Sequence, residues 1–251
     1  MTTFLLVHGA WHGAWCWDRL VPALADRGHR GVAIDLPAHG EDLVPPWRAS
    51  LRAYSRRVRE AAAALAERPV LLGHSMGGLA ISQAAADGPD EFAGLVYLCA
   101  FVPAPGESLA SLGRLDRDSL VPKSVRLGWS GPRIRAARAK AVFYGSCSDA
   151  DAQWAAARLR PDPWRPLVQG HRPQHPIRIP KVYVECTQDR AISLHRQRAM
   201  ADRFEFERIV TMDTDHSPFL SRPDELAAHL AEVADLGASE RRGPRSAGDQ
   251  P

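Results

Sequence analysis

Short apolar runs alternate with helical patterns along most of the chain. Thr3–Val7 is a nearly unbroken apolar run and reads as a buried strand. Trp17, Leu20, Val21 and Leu24 then recur at i, i+3, i+4 and i+7, with Gly28 where a helix would stop. Gly31–Leu36 predicts a second strand. After a proline-rich loop, Ser50 is placed to cap a long helix with Leu51, Tyr54, Val58 and Leu65 facing inward, ended before Pro69. Pro69–Leu72 predicts a third strand, followed by a glycine-rich turn and a helix over Gly78–Ala86. Leu95–Val102 predicts a fourth strand. Lys181–Cys186 and Arg208–Met212 supply two more, with a helix around Ser193–Arg203 between them. A last helix begins near Ser221, whose hydroxyl has capping spacing to Asp224. Such alternation predicts an α/β fold, with a mostly parallel sheet of about six strands flanked by helices on both faces.

The rhythm breaks over residues 104–176, which carry no clear strand. A structureless loop of that length is improbable in a compact domain, so this stretch is expected to be a helical insertion or lid, with one helix over Asp149–Arg160. The catalytic body is then residues 1–103 and 177–236. Residues 237–251 lack an apolar face and are expected to form a mobile tail.

Composition narrows the classes of function. The 251 residues carry 32 Lys+Arg against 29 Asp+Glu, a net charge of +3, which argues against a dedicated nucleic-acid binder. A hydrophobic share of 45% is ordinary for a globular protein. The first apolar run is too short for a membrane span or a signal segment, so no membrane partner is expected. Cys16, Cys99, Cys147 and Cys186 are widely spaced with no CxxC pair. Buried free thiols in the cytoplasm are the simpler expectation than disulfides or a zinc site.

The strongest chemical signal is Gly73-His74-Ser75-Met76-Gly77-Gly78. A bare GxSxG string is weak, but here a strand leads in and a helix leads out, the setting in which a serine is thrust from a sharp turn. Side chains at Gly73 and Gly77 would collide with neighbouring elements. A serine hydroxyl needs a base to take its proton, and the base needs an acid to orient it. In open parallel sheets such residues belong after the carboxyl ends of strands. Asp189 follows Lys181–Cys186, and His216 follows Arg208–Met212, giving the order Ser75, Asp189, His216. Asp213 and Asp215 are rival acids, assigned turn roles because they lie so close to the histidine in sequence. His74 is expected to point away from the serine. The backbone N–H of Met76 and that of Ala10, in the loop after the first strand, are the expected oxyanion donors. Trp11, Trp15 and Trp17 are read as packing residues.

These motifs resemble the α/β-hydrolases that group bacterial esterases with plant methylesterases and hydroxynitrile lyases. The likeness runs through Phe4–Trp17, Asp35–Gly40, Gly73–Gly78, Cys186–Ile192 and His216–Leu220. Within the insertion, Phe143–Ser148 followed by Trp154 and Arg158–Arg160 resembles the bacterial esterase branch. The resemblance implies the α/β-hydrolase fold, Ser75 as nucleophile, Asp189 as acid, His216 as base, and oxyanion N–H groups at Ala10 and Met76. The lyases that resemble this chain carry threonine at the position of Gly9 and lysine at that of Ser217, so both positions favour ester hydrolysis.

The expected function is therefore cofactor-free cleavage of a small-molecule carboxylic ester, with no metal. A thioesterase, lactonase or polyketide-tailoring enzyme on the same triad, a lyase, and a non-catalytic binder are the alternatives. A homo-oligomer is compatible with the sequence. The net charge of +3 averages over two unlike parts. Residues 104–176 hold 12 Lys+Arg and 6 Asp+Glu, while the rest of the chain holds 20 and 23. Arg126, Arg133, Arg135, Arg138 and Lys140 read as a solvated surface, or more sharply as an attraction for anionic substrates.

Overall fold

The computed structural model describes residues 1–240. A single parallel sheet runs through it, made of β1 (Thr3–Val7), β2 (Arg30–Ile34), β3 (Val70–His74), β4 (Gly94–Leu98), β7 (Lys181–Cys186) and β8 (Arg208–Met212). Their order across the sheet is β2-β1-β3-β4-β7-β8. Phe4, Leu5, Leu6 and Val7 of β1 are fully buried, as are Leu71 and Leu72 of β3. A strand apolar on both faces requires cover on both faces, and helices provide it. The strand order reverses between β1 and β3, where Val7 lies opposite Gly73. A crevice opens at the carboxyl ends of strands at such a switch point.

Helices α1 (Leu20–Ala25), α2 (Leu51–Ala63), α3 (Gly77–Asp87), α9 (Leu194–Ala201) and α11 (Pro223–Glu240) flank the sheet, with the single turn α10 (Pro218–Ser221) before α11. Ser50 caps α2 by accepting from Ala53 N, and Ser193 caps α9 by accepting from Arg196 N. Ser221 does not cap α11. Its hydroxyl is drawn instead to the Asp215 carboxylate and the Ser217 carbonyl. The fourth strand stops at Leu98 rather than Val102, because Cys99 turns into the left-handed region at φ +34° and Phe101 N donates to Ser75 O. Helix α11 continues through Gly237 to Glu240, beyond the boundary at residue 236 expected from sequence. One glycine costs a helix only about 1 kcal/mol, which established turns ahead of it can absorb. The remainder of the expected mobile tail lies outside the described residues.

Residues 104–176 hold five short helices, α4 (Leu109–Gly113), α5 (Val121–Ser124), α6 (Ala136–Phe143), α7 (Asp149–Ala156) and α8 (Trp164–Val168). They also hold a small antiparallel hairpin, β5 (Val125–Arg126) with β6 (Arg133–Ile134), where the sequence predicts no strand. Two-residue strands are too short to show alternation. All four cysteines are buried free thiols. No helix among the described residues is long and apolar enough to cross a membrane.

Candidate active site

Ser75 sits on the turn from β3 into α3 with φ +54°, a conformation that costs a non-glycine residue energy and points to an imposed geometry. Neighbouring glycines make the turn feasible. A Cβ on Gly77 would meet Val7 O at 2.6 Å, one on Gly78 would meet Phe101 O at 2.2 Å, and one on Gly73 would meet Gly77 O at 2.8 Å. Gly78, which the sequence reading did not single out, is thus as constrained as the two glycines it did. Ser75 is 8% exposed and opens onto a cavity of about 470 Å³.

Asp189 and His216, 27 residues apart in the chain, are brought together behind this turn. His216 Nδ1 lies 2.6 Å from Asp189 Oδ2, and both side chains are buried. The other carboxylate oxygen, Oδ1, accepts from Ala191 N at 2.7 Å and Ile192 N at 2.9 Å, while Gln197 Nε2 donates to Oδ2. Burial pushes the Asp189 carboxyl above the usual carboxylate range, opposed by the adjacent His216 and by the Ile192 and Ala191 N–H donors. With Nδ1 turned to Asp189, the imidazole leaves Nε2 outside that contact.

The rival acids are occupied elsewhere. Asp213 accepts from Thr187 and Gln188, and Asp215 accepts from Ser146 N, Ser217 N and Ser221 Oγ. His74 turns to the backbone of His216, with Nε2 2.8 Å from its carbonyl oxygen and the two rings 4.5 Å apart. Cys99 Sγ donates to the same carbonyl at 3.4 Å. The potential ligand atoms of His74, Cys99 and His216 lie within 4.8 Å of one another; His74 Nε2 and Cys99 Sγ face this carbonyl and His216 Nδ1 faces Asp189, while His74 Nδ1 has no hydrogen-bond partner.

The loop after β1 approaches the turn closely enough that a Cβ on Gly9 would lie 2.8 Å from Ser75 Cβ. Two histidines to which the sequence reading gave no role fix its peptide planes. His8 Nδ1 donates to Gly9 O at 2.8 Å while its Nε2 accepts from Leu36 N at 3.1 Å. In a trans peptide the N–H opposes the C=O, so Ala10 N–H is directed away from His8. His12 Nδ1 donates to Ala10 O at 2.7 Å, and its Nε2 accepts from Tyr144 OH at 2.8 Å. Each ring thus has one donor and one acceptor, as the neutral form requires. Burial lowers both: His12 falls to about 3 and His8 well below its ordinary value. Among the described residues neither Ala10 N nor Met76 N donates to an acceptor of the chain.

The cavity walls come from both parts of the chain. Ala10, Trp11, Phe101 and Ile192 belong to the body, and Leu109, Val121, Val125, Leu127, Phe143 and Leu167 to residues 104–176. Trp11 is therefore a wall residue as well as a packing residue, whereas Trp17 is fully buried and Trp15 stacks on His12. The five basic residues from Arg126 to Lys140 stay exposed and do not line the cavity, whose charged lining residues are Arg114 and Asp116.

Comparison with known proteins adds an independent line. The profile of the alpha/beta hydrolase family matches residues 4–229. The chain belongs to the α/β hydrolase family. A pyrethroid hydrolase of Sphingobium wenxiniae is 31% identical, covering 100% of this chain and 94% of its own. Methylesterase 2 of Arabidopsis thaliana is 29% identical, covering 92% of this chain and 95% of its own. The crystal structure of a pyrethroid hydrolase from Sphingobium faniae JZ-2 superposes with a TM-score of 0.80 at 28% identity, covering 95% of this chain and 99% of that one. These relatives are named as hydrolases and esterases, and this α/β hydrolase is an enzyme of the hydrolase class.

Proposed function

We propose that this α/β hydrolase is a serine carboxylesterase that works through an acyl-enzyme. The observation that carries the reading is the 2.6 Å Asp189–His216 contact behind a strained Ser75 that opens onto an apolar cavity. His216 takes the Ser75 proton as Oγ attacks the acyl carbon, and Asp189 holds the imidazole in the required tautomer. Ala10 and Met76 N–H groups receive the oxyanion. His216 then protonates the leaving alcohol, and water cleaves the acyl-enzyme by the same route. The relatives' names support an ester as substrate, and the intramolecular geometry supports the roles.

In this reading residues 104–176 form a lid over Ser75, since they supply most of the cavity wall. The favoured substrate is a largely apolar, uncharged ester. Its surroundings offer one guanidinium, Arg114, and a carboxylate, Asp116, already accepting from Ser193 N at 2.8 Å. Lyase chemistry of the threonine-bearing kind is disfavoured because any side chain at Gly9 would meet His74 Nδ1 at 2.8 Å.

The test is Ser75→Ala assayed on aryl and methyl esters. The expected loss in kcat is on the order of 10⁵–10⁶, with the fold retained by circular dichroism. A folded variant that keeps most of its turnover overturns the assignment.

A further inference from the structure

We propose that Asp162, in the segment that roofs the cavity, is a positioning residue for the Ala10 oxyanion donor. The inference rests on the serine-esterase reading. Ala10 N–H can serve only if the Ala10–Trp11 stretch holds one conformation, and that stretch is intrinsically unfavourable. Trp11 has φ +63°, left-handed backbone that a bulky side chain rarely adopts. Something must hold it there.

The holding contacts come from across the molecule. Asp162 Oδ1 accepts from Trp11 N at 3.2 Å. Arg160 N donates to Trp11 O at 3.0 Å, and Trp11 Nε1 donates to Pro132 O at 2.9 Å. The amide, carbonyl and indole of one strained residue are thus all tied to residues 132–162. On the body side, His12 holds Ala10 O and His8 holds Gly9 O. Gly9 O, Ala10 O, Trp11 N and Trp11 O are all committed, while the Ala10 N–H between them stays a free donor.

Asp162 is itself anchored. His39 Nε2 lies 2.6 Å from the same Oδ1, with both side chains fully buried. The other ring nitrogen of His39 faces Pro37 O at 3.2 Å. Asp162 N donates to Pro132 O, and a Cβ on Gly131 would collide with Asp162 O. A buried carboxylate with an unpartnered Oδ2 is costly, so its retention needs a reason beyond packing. Holding the oxyanion loop supplies one. The geometry also makes the roof segment part of the catalytic geometry, in addition to the wall that selects substrate.

The test compares wild type with Asp162→Ala and Asp162→Asn on one aryl ester, together with inhibition by a trifluoromethyl ketone whose adduct places an oxyanion in the hole. Complete loss of an oxyanion donor lowers kcat by roughly 10²–10³, and displacing one should lower it by about 10- to 100-fold. Asp162→Ala is therefore expected to lose about 10- to 100-fold in kcat with KM within about twofold, and to weaken the ketone by the same factor. Asp162→Asn keeps an acceptor for Trp11 N and should recover part of both losses. If Asp162→Ala does not fold, the asparagine variant still decides by whether kcat and ketone affinity fall together. Unchanged kcat and ketone affinity in a folded variant, or a loss confined to KM, overturns the proposal. Failure of the parent reading looks different: the wild-type enzyme itself would then form no ketone adduct at Ser75.

Discussion

At the scale of single residues, the site is a set of groups held in one protonation or backbone state. Asp189 is the clearest case. Its Oδ1 is satisfied by two backbone N–H groups, so its Oδ2 meets His216 in a fixed orientation. An asparagine there keeps the shape but can present its amide N–H to His216, which forces the proton to the wrong ring nitrogen. Asp189→Asn is expected to lower kcat by about 10⁴-fold while leaving KM within a few-fold. Steady-state kinetics on one ester checks this, and a loss below about tenfold would remove Asp189 from the orienting role. Asp215, by contrast, accepts from Ser217 N, Ser146 N and Ser221 Oγ and ties the histidine turn to residue 146.

At the scale of elements, the sheet was largely legible because its strands are apolar on both faces and bounded by turn residues. Six strands and their all-parallel pairing follow from that pattern. The glycine-flanked turn at Ser75 was legible for the same reason: a strand, three closely packed glycines and a helix leave few alternatives. What the sequence hid lies where chain-distant groups meet. Trp11 and Asp162 are 151 residues apart, and His12 and Tyr144 are 132 apart, so no local period marks either contact. The β5–β6 hairpin was hidden because two-residue strands have no alternation. Ser221 was misread as a cap because its spacing to Asp224 fits, while the Asp215 carboxylate, six chain positions before the serine, takes its hydroxyl instead. His8 and His12 carried a usable signal: two histidines flanking Gly9 and Ala10 beside a candidate oxyanion donor.

At the scale of the whole molecule, the fold buries several histidines and favours their neutral form. Burial lowers His8 and His74 well below their ordinary value, His12 to about 3 and His171 to about 4. Unfolding exposes these rings, which then take up protons near pH 6.5. The unfolded state therefore binds more protons than the native state below that pH. Stability contributed by the neutral rings is present above about 6.5 and is lost as pH falls, until the native rings themselves titrate. Each such ring contributes about 1.4 kcal/mol per pH unit within its window. Urea unfolding of His12→Gln should show a stability loss between pH 6 and pH 4 smaller than that of wild type by about 2 kcal/mol. Parallel pH profiles would show that His12 does not supply the linkage. Charge is also distributed at this scale: residues 104–176 carry the net positive balance, but their Arg126–Lys140 bases face solvent while the cavity at Ser75 is apolar.

The central claim is that Ser75 is an activated nucleophile. Reaction with an aryl phosphonate ester followed by peptide mass spectrometry tests it most directly. The account predicts one adduct per chain, on Ser75, forming in step with loss of esterase activity. Inactivation with no adduct on Ser75, or esterase turnover that survives complete modification of Ser75, would contradict it.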